Sequence, residues 1–389
     1  MSVDVISLGC RLNIAESETL RALLAGERDL IVINSCAVTA EAVRQTRQAI
    51  RRARRARPDA RLLVTGCAAE VERSAIAAMP EVDGLIANAS KLDPRAWNVA
   101  ARNIAVVAQW HTRAFIAVQN GCDHACTFCV IPQGRGPSRS LSIADVLDVV
   151  ARHGEVAEVV LTGVDLTSWG QDFTPHATLG TLVRAILDAF PALPRLRLSS
   201  LDGIEIDPLL FELLIGEPRV MPHVHLSLQH GHDLILKRMK RRHARVDAAR
   251  LVAELRTRRP EIAIGADLIA GFPTEDAAMH GTNVSMVREL GIVHGHVFPY
   301  SPRPGTPAAR MPQIDAGLIK ARAAELRAEI AAVRQVWLAS LVGQRLTVLA
   351  EADGTGHAEN FARVAVPAGT VRGAVVTLVP TAFEAGLLR

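Results

Sequence analysis

The feature that most constrains this chain is the arrangement of its six cysteines in two groups of three. Cys122, Cys126 and Cys129 share one loop, GCDHACTFCVIP (121–132), with the spacing Cys-x3-Cys-x2-Cys. Three thiolates this close together suit a 4Fe–4S cluster, which requires soft ligands, and they leave one iron open to a small molecule. Zinc is the competing metal, but structural zinc requires four ligands, and His124 inside the loop is awkwardly placed to be the fourth. A disulfide would leave one of the three cysteines unpaired.

The other three cysteines are far apart in sequence, but each comes after a predicted strand. The strands VDVISLG (3–9), DLIVINS (29–35) and RLLVTG (61–66) precede Cys10, Cys36 and Cys67, respectively. Because the carboxyl ends of parallel strands lie along one sheet edge, we expect these three thiols to meet at one point. Three unrelated core cysteines are the alternative, since free cysteine is often buried.

The composition is that of a globular protein, with 49% hydrophobic and 22% charged residues among 389, and this excludes the disordered class. No apolar run approaches the ~20 residues of a membrane span, and no N-terminal stretch resembles a signal peptide. We therefore expect a cytoplasmic protein without membrane attachment. Thiols stay reduced in that compartment, which favours metal binding or catalysis over disulfides.

The order of predicted elements indicates an α/β protein of several parts. Residues 1–105 alternate four strands with helices, which predicts a small parallel αβα domain. Residues 106–312 contain six βα units, which predict a partial (β/α)6 barrel, open because it lacks the last two units. A helix within 313–342 connects the barrel to residues 343–389, whose short strands predict a small β-barrel. The predicted barrel strands are 114–120, 157–163, 195–200, 223–229, 262–271 and 292–301.

Two basic segments stand out in a chain whose formal net charge is only +4. The first, 43–58, carries seven arginines, and the second is KRMKRRHAR (237–245). Arg44, Arg47 and Arg51 recur at spacings of three and four, so they share one face of a predicted helix. A phosphate-binding surface is the functional interpretation, and a solvated helix face is the alternative.

Beyond these patterns, the sequence resembles the radical S-adenosylmethionine methylthiotransferases over nearly its whole length. Cys-x3-Cys-x2-Cys with an aromatic residue, Phe128, before the last cysteine is the signature of the superfamily. SLGCRLNIAESE, VINSCAVT and VTGCAAE are similar to the three N-terminal cysteine boxes of the family. The barrel shows CTFCVIPQGRGPSRS, LTGVDLTSWG, HLSLQHGHDLILKRMKRR, GADLIAGFPTED and PYSPRPGTPAARM, and the tail segment GHAENFARV is similar to the RNA-binding TRAM module that ends this family.

The resemblance implies two 4Fe–4S clusters, one on each cysteine group, both with one iron free. It implies that one S-adenosyl-L-methionine methylates a sulfur held at the auxiliary cluster of Cys10, Cys36 and Cys67. Cleavage of a second one at the other cluster would give a 5′-deoxyadenosyl radical. That radical would remove hydrogen from a C–H bond, and the methylthio group would join the same carbon.

Within the family, the closest resemblance is to the branch that modifies carbon 2 of N6-threonylcarbamoyladenosine at position 37 of tRNA. Action on isopentenyladenosine in tRNA or on an aspartate of a ribosomal protein is the alternative, followed by a non-catalytic iron–sulfur RNA-binding protein. The partners implied are the tRNA anticodon stem-loop, an electron donor such as flavodoxin or ferredoxin, and a sulfur donor. We expect a monomer.

The resemblance also suggests residues for cofactor and RNA binding. Strand-end positions and the loop aromatic are expected to contact S-adenosyl-L-methionine, with ordinary turn residues as the alternative: Phe128, Thr162, Gly163, Asp165, Ser200, Gln229 and Gly271. Contacts to RNA are expected from six arginines, with plain surface positions as the alternative: Arg44, Arg47, Arg51, Arg135, Arg139 and Arg303.

The sequence departs from the family pattern in three places. The segment before DLIVINS is short, as if a strand were missing, and GFPTED (271–276) lacks the glycine that usually follows the proline. The first departure bears on the shape of the auxiliary-cluster pocket, and the second bears on how the protein binds the cofactor. The tail is compact and has few aromatic residues, which bears on its affinity for RNA.

Overall fold

The computed structural model describes residues 3–100 and 112–389. The N-terminal elements are β1 (Asp4–Ser7), α1 (Arg11–Leu23), β2 (Leu30–Ser35), α2 (Ala40–Ala56), β3 (Arg61–Gly66), α3 (Cys67–Val71), α4 (Arg73–Ala77) and β4 (Gly84–Leu85). The four strands form one parallel sheet in the order β1-β2-β3-β4. The predicted parallel αβα domain is therefore confirmed.

Burial on both faces explains the continuous apolar run of β2, which has no exposed residue. Ile31 and Ile33 join a core cluster that includes Ile50 of α2, whereas Leu30 and Val32 join a second cluster on the α1 side. Successive side chains of a strand point to opposite faces, so helices cover the sheet on both sides.

The middle of the chain repeats strand and helix. Its elements are β5 (Ala114–Ala117), β6 (Gln119–Asn120), α5 (Ile131–Arg135), β7 (Arg139–Ser140), α6 (Ile143–Arg152), β8 (Val159–Thr162), α7 (Leu179–Ala189), β9 (Leu196–Leu198), β10 (Ser200–Leu201), α8 (Pro208–Gly216), β11 (His223–Gln229), α9 (Asp233–Arg238), α10 (Arg245–Arg258), β12 (Ala263–Ala270), α11 (Ala277–Glu289) and β13 (Ile292–Pro299).

The parallel sheets β5-β8-β9 and β10-β11-β12-β13 are separated only at Ser199. Six parallel strands thus follow one another in chain order, as predicted for the open barrel. Two short helices, α5 and α9, add to this alternation. One apolar cluster joins strands and helices of this region, with Trp169 fully buried in it.

The connecting helix α12 (Ala316–Leu341) serves two cores. Leu326 and Ile330 belong to the barrel core, whereas Leu338 and Leu341 belong to the core of the tail. The tail strands are β14 (Leu346–Ala350), β15 (Thr355–Ala358), β16 (Arg363–Ala365), β17 (Val375–Leu378), β18 (Phe383–Glu384) and β19 (Leu387–Leu388), paired in the order β17-β14-β15-β16-β19-β18.

The predicted domain boundary at 105/106 lies outside the described residues, and the other two boundaries stay predictions. Within the described ranges, no helix combines the length and the apolar character needed to cross a bilayer.

Candidate functional site

The first cysteine group lies along the carboxyl edge of the N-terminal sheet. Cys36 directly follows β2 and Cys67 directly follows β3 as the first residue of α3, whereas Cys10 lies beyond β1 as the N-cap of α1. Cys36 and Cys67 are buried and Cys10 is exposed. The cap position carries no side-chain hydrogen bond, so the first amides of α1 remain available to a negatively charged group.

The three thiols share one pocket. Burial raises the pKa of Cys36 to about 11, and the neighbouring Cys10 and Cys67 act in the same direction. A Cβ on Gly9 would come within 2.6 Å of the Cys36 sulfur, so the residue before Cys10 already touches Cys36. The structure therefore brings together the three cysteines that the strand ends predicted.

Three of the six cysteines directly follow a glycine with positive φ. Gly9, Gly66 and Gly121 have φ of +93°, +91° and +76°. At Gly66 a Cβ would lie 2.4 Å from the Ser35 carbonyl oxygen, and at Gly121 it would lie 1.9 Å from that of Pro137. Only glycine fits these turns, so the Gly-Cys pairs in the sequence are a local signal for how the ligand loops are formed.

The second cysteine group lies in the loop between β6 and α5. The Cys122 amide donates to the Gly136 carbonyl at 3.2 Å, and the Cys129 amide donates to the Cys126 carbonyl at 3.2 Å. Burial raises the pKa of Cys122 to about 12, followed by the nearby Asp165. Phe128 packs edge-on against Phe272 with ring centroids 6.5 Å apart, so it forms a wall of the site.

Charged residues surround this loop. His124 Nε2 lies 2.7 Å from Asp165 and 3.6 Å from Glu205, and these hydrogen bonds raise the pKa of His124 to about 10. The ligand atoms of Cys122, His124 and Asp165 lie within 4.8 Å of one another. His124 thus has carboxylate partners on the side of the loop that faces Asp165 and Glu205. Arg241 donates to the Cys126 sulfur at 3.7 Å.

The two cysteine groups face each other across the domain contact. Burial raises the pKa of Cys129 to about 11, and Cys67 of the other group contributes to the increase. A Cβ on Gly134, in α5, would lie 3.2 Å from the Cys67 Cβ. Asn88 donates to the Gly134 carbonyl at 2.5 Å and to the Cys67 sulfur at 4.0 Å. Helices α3 and α5 therefore hold both thiol groups at one cleft.

A buried polar network behind this cleft links the domains. Glu16 lies 2.5 Å from the Lys91 ammonium and 2.8 Å from the Arg135 guanidinium, and each of these side chains is at most 2% exposed. Arg135 also donates to Asn13 at 2.5 Å and to Asn120 at 2.8 Å. Burial acts to lower the pKa of Arg135, but Glu16 and Cys67 raise it above its usual value.

This network corrects the prediction that Arg135 contacts RNA, because its side chain is enclosed by protein and fully engaged. Sequence reasoning missed Glu16 and Lys91. The signal was present in α1, where the polar Asn13 and Glu16 fall on the same buried face as Leu12 and Leu20.

Arg303 requires the same correction. Its side chain is 4% exposed and pairs with Glu72 at 3.2 Å. Glu72 also pairs with Arg47 at 2.6 Å, and nearby Ser301 accepts a hydrogen bond from the Ala40 amide at 3.2 Å. The segment after β13 thus fastens the barrel to the N-terminal domain, and Arg303 is not free for RNA.

The other predicted RNA contacts are at the surface. Arg139 is exposed, and the side chains of Arg44, Arg47 and Arg51 are 59%, 40% and 55% exposed. Acidic residues partly neutralise this face of α2: Arg44 pairs with Glu41 at 2.6 Å and Arg51 lies 3.9 Å from Glu81.

Thr162, Gly163 and Asp165 lie at the carboxyl end of β8. They are next to the loop of the second cysteine group (121–132), called the radical-cluster loop below. The Gln119 side chain accepts hydrogen bonds from the Val164 amide at 3.0 Å and the Asp165 amide at 2.9 Å. A Cβ on Gly163 would lie 2.8 Å from that same oxygen. Gln119, which sequence reasoning missed, thus shapes the turn that carries Asp165.

The remaining predicted cofactor contacts also lie at strand ends. Ser200 begins β10 and Gln229 ends β11 with φ of +66°. Gly271 follows β12 with φ of +73°, and a Cβ there would lie 2.6 Å from the Ile319 side chain. The positive φ and the packing against α12 together explain why position 271 is glycine.

The opposite end of the barrel is closed by the tail. Glu158 accepts hydrogen bonds from Arg113 and Arg197, both at 2.8 Å, and Arg113 also pairs with Glu351 of the tail at 2.6 Å. The Phe361 ring lies 4.8 Å from the Arg197 guanidinium carbon and 5.1 Å from the His223 ring. The segment GHAENFARV, which resembles an RNA-binding module, thus packs on the barrel floor, and RNA binding by the tail stays a prediction.

The donor set fits two 4Fe–4S clusters. All six cysteines are free thiols. Each group supplies three soft sulfur ligands from one pocket, which leaves one iron without a protein ligand. The uncapped start of α1 and the Arg241 side chain offer positive partners to the negatively charged cluster sulfurs.

Two family models match the chain. Uncharacterized protein family UPF0004 matches residues 2–87, which contain the first cysteine group, and the Radical SAM superfamily matches residues 116–281, which contain the second.

Similar proteins span most of the chain. A Rickettsia prowazekii protein named threonylcarbamoyladenosine tRNA methylthiotransferase MtaB is 42% identical over 92% of this chain and 90% of its own length. A Cereibacter sphaeroides tRNA-2-methylthio-N(6)-dimethylallyladenosine synthase is 32% identical over 89% of this chain and 86% of its own. Among solved structures, the radical S-adenosylmethionine methyltransferase TsrM from Kitasatospora setae, with cobalamin and a 4Fe–4S cluster bound, has a TM-score of 0.56, 16% identity, and coverage of 79% of this chain and 77% of that one. This last likeness concerns the fold.

Proposed function

This chain belongs to the tRNA methylthiotransferases of the radical S-adenosylmethionine superfamily, and we propose that it adds a methylthio group to carbon 2 of N6-threonylcarbamoyladenosine at position 37 of tRNA. The relative that shares 42% identity is named for threonylcarbamoyladenosine, and the one named for dimethylallyladenosine shares 32%. Two 4Fe–4S clusters and S-adenosyl-L-methionine are its cofactors.

The observation that carries the proposal is the contact of Gly134, in the helix that follows the Cys129 loop, with Cys67 of the other cysteine group. Methylthiolation requires that a sulfur source and a hydrogen-abstracting group both reach the same substrate carbon. The carbon radical must react with the sulfur before it undergoes a side reaction. The close approach of Gly134 to Cys67 places the loop of Cys129 against the other group. A base bound at this contact can therefore reach both cysteine groups.

The residues divide this task. Cys122, Cys126 and Cys129 would hold the cluster that binds S-adenosyl-L-methionine, and Cys10, Cys36 and Cys67 would hold the auxiliary cluster. With S-adenosyl-L-methionine, the bound clusters supply electron transfer, carbon–sulfur cleavage and the transferred sulfur and methyl.

The rest of the loop and the strand ends orient the cofactor. Asp165 can accept a hydrogen bond from the methionine ammonium group, because Gln119 fixes its backbone beside Cys122. Phe128 excludes water from one side of the loop. Thr162, Gly163, Ser200, Gln229 and Gly271 are proposed as further contacts at the strand ends, where ligands of such barrels bind.

Two surfaces are proposed to bind the anticodon stem-loop. Arg139 lies beside the radical-cluster loop, and Arg44, Arg47 and Arg51 lie along α2. Arg52 and Arg55 on the same helix are exposed and lack an acidic partner within 4.0 Å among the residues described. RNA phosphates attract such exposed arginines, and this attraction makes binding dependent on salt concentration.

The partners follow from the chemistry. Reductive cleavage needs a one-electron donor, for which we propose a flavodoxin or ferredoxin, and the transferred sulfur needs a sulfur donor. We further propose that the protein acts as a monomer in the cytoplasm, where tRNA is modified.

The test is nucleoside analysis of tRNA from a strain in which the gene is deleted. We expect methylthiolated N6-threonylcarbamoyladenosine to disappear, its unmethylthiolated precursor to accumulate, and the wild-type gene but not Cys126→Ala to restore it. Unchanged tRNA would contradict the proposal. Loss of the methylthio group from isopentenyladenosine, or from a ribosomal-protein aspartate, would move the protein to another branch of the family.

A further inference from the structure

One cation in the barrel lumen forms no direct ion pair with a described residue. Arg11 is half-buried and its guanidinium carbon lies 5.6 Å from the centre of the Phe361 ring. Among residues 3–100 and 112–389, no carboxylate lies within 4.0 Å of its nitrogens. Arg113 and Arg197, which flank the same ring, both donate to Glu158 at 2.8 Å. Arg11 is therefore the cation of this cluster that remains available to an anion.

Polar groups of three adjacent strands line the lumen near Arg11. Asp267 on β12 shares one oxygen between His225 of β11 and His296 of β13, at 3.0 Å each. The His296 side chain is 63% exposed and that of Asp267 is 20% exposed. Asp267 is also among the charges that act on Arg11. This layer thus offers an open hydrogen-bonding surface beside a cation.

The layer lies deeper in the barrel than the carboxyl ends of its strands. Arg11 follows Cys10 in the chain, and Asp267 and His296 each lie three residues before their strand ends at Ala270 and Pro299. At about 3.3 Å per residue, this depth is on the order of 10 Å. A base whose carbon 2 lies between the cysteine groups can extend its N6 substituent into this space.

We infer that Arg11 binds the carboxylate of the threonyl group on N6 of the substrate adenosine, and that Asp267 and His296 bind its hydroxyl and urea groups. This inference rests on the proposed function. A guanidinium suits a carboxylate because two parallel N–H donors meet two oxygens. A dimethylallyl group would desolvate Arg11 without giving it a partner, so the lumen selects against it.

The test compares two synthetic anticodon stem-loops that differ only at position 37, one with N6-threonylcarbamoyladenosine and one with adenosine. Affinities are measured anaerobically with the reconstituted holoenzyme by fluorescence anisotropy. We expect the wild type to prefer the modified stem-loop at least tenfold. Arg11→Met should remove most of this preference without changing the affinity for the unmodified stem-loop, and Arg11→Lys should keep part of it.

The matched control is Arg152→Met, which removes an exposed arginine at the end of α6, outside the surfaces proposed to bind RNA. This variant should leave the ratio of the two affinities unchanged. Iron content is measured for every variant because Arg11 follows Cys10. If Arg11→Met loses iron, Asp267→Asn takes its place, since it is expected to lower the preference as well.

The outcomes separate the inference from the proposed function. If Arg11→Met, or its substitute, retains the full preference, the inference is wrong. An equal loss of affinity for both stem-loops would assign Arg11 to a phosphate and overturn the inference as well. If the wild type neither prefers nor methylthiolates the modified stem-loop, it is the proposed function that fails.

Discussion

Gly134 lies so close to Cys67 that a Cβ at position 134 would come within 3.2 Å of the Cys67 Cβ. Gly134 belongs to the helix after the radical-cluster loop, and Cys67 belongs to the auxiliary group. The distance between the two cysteine groups is therefore set at a contact that tolerates almost no added volume.

Gly134→Val should push α5 away from α3 and separate the two groups. We expect methylthiolation of tRNA to fall about 100-fold, as for other displacements of roughly 1 Å at a reacting centre. Reductive cleavage of S-adenosyl-L-methionine should persist, because the radical-cluster loop itself is unchanged. Gly281→Val is the control, since no atom lies within 4 Å of a Cβ at that position. An equal loss of methylthiolation and of S-adenosyl-L-methionine cleavage would contradict the prediction that only methylthiolation depends on this contact.

Cys10→Ala and Cys126→Ala should have different effects. Cys10→Ala removes a proposed ligand of the auxiliary cluster, so we expect iron content to fall by about half while cleavage of S-adenosyl-L-methionine continues. Cys126→Ala should abolish cleavage. Iron assay and detection of 5′-deoxyadenosine measure both effects. Full iron content in both variants would show that these cysteines are not ligands.

Arg135→Ala should destabilise the protein by about 3–5 kcal/mol, because it removes one partner from a buried ion pair. Glu16 would keep Lys91 as its charged partner, and Asn13 and Asn120 would each lose a donor. Arg139→Ala is the neighbouring control at an exposed position, and its stability should change by less than about 0.5 kcal/mol. Urea unfolding measures stability. A destabilisation of Arg135→Ala below 1 kcal/mol would argue against the network.

Glu158 should make stability depend on acid pH. Its burial opposes ionisation, but Arg197 and Arg113 lower its pKa from 4.5 to about 2. The unfolded state therefore binds more protons between these values. The contribution, roughly 3 kcal/mol, is fully present above pH 4.5 and is lost as the pH falls toward 2.

Urea midpoints measured between pH 7 and pH 3 should fall less steeply for Glu158→Gln than for the wild type. Part of the slope should remain, because histidine and arginine partners also hold the pKa of Glu351 at about 2. Identical slopes for the two proteins would contradict the assignment.

Thr274→Gly should stabilise the protein. Thr274 stands where the family pattern has glycine, and it adopts φ of +68°, which is strained for a β-branched residue by about 1–2 kcal/mol. Relief of this strain exceeds the loss of the hydrogen bond from Arg238 at 2.7 Å, so a net gain of about 0.5–1 kcal/mol is expected. Thr274→Ala, which loses the bond but keeps the strain, should lower the melting temperature. An unstrained position would show no difference between the two variants.

Local patterns in the sequence were sufficient for the elements and the ligand groups. Strand β3 was predicted at its observed bounds, 61–66, from an apolar run that ends at a glycine, and β11 was predicted at 223–229 from the alternation of apolar and polar residues. The two cysteine groups followed from spacing and from the shared edge of parallel strands. Each strand and each cysteine is recognised from the few residues around it, so the sequence alone determines them.

The tertiary structure alone decided how the parts meet. Arg135 pairs with Glu16 and Arg303 with Glu72, and both arginines were expected on an RNA surface. Phe361 of the tail packs against Arg197 at the barrel floor, and this leaves Arg11 open to the lumen. Such partners lie more than 100 residues apart, and no local periodicity records them. They are chosen when the domains dock, because burying a charge or a ring requires whichever partner the fold brings near.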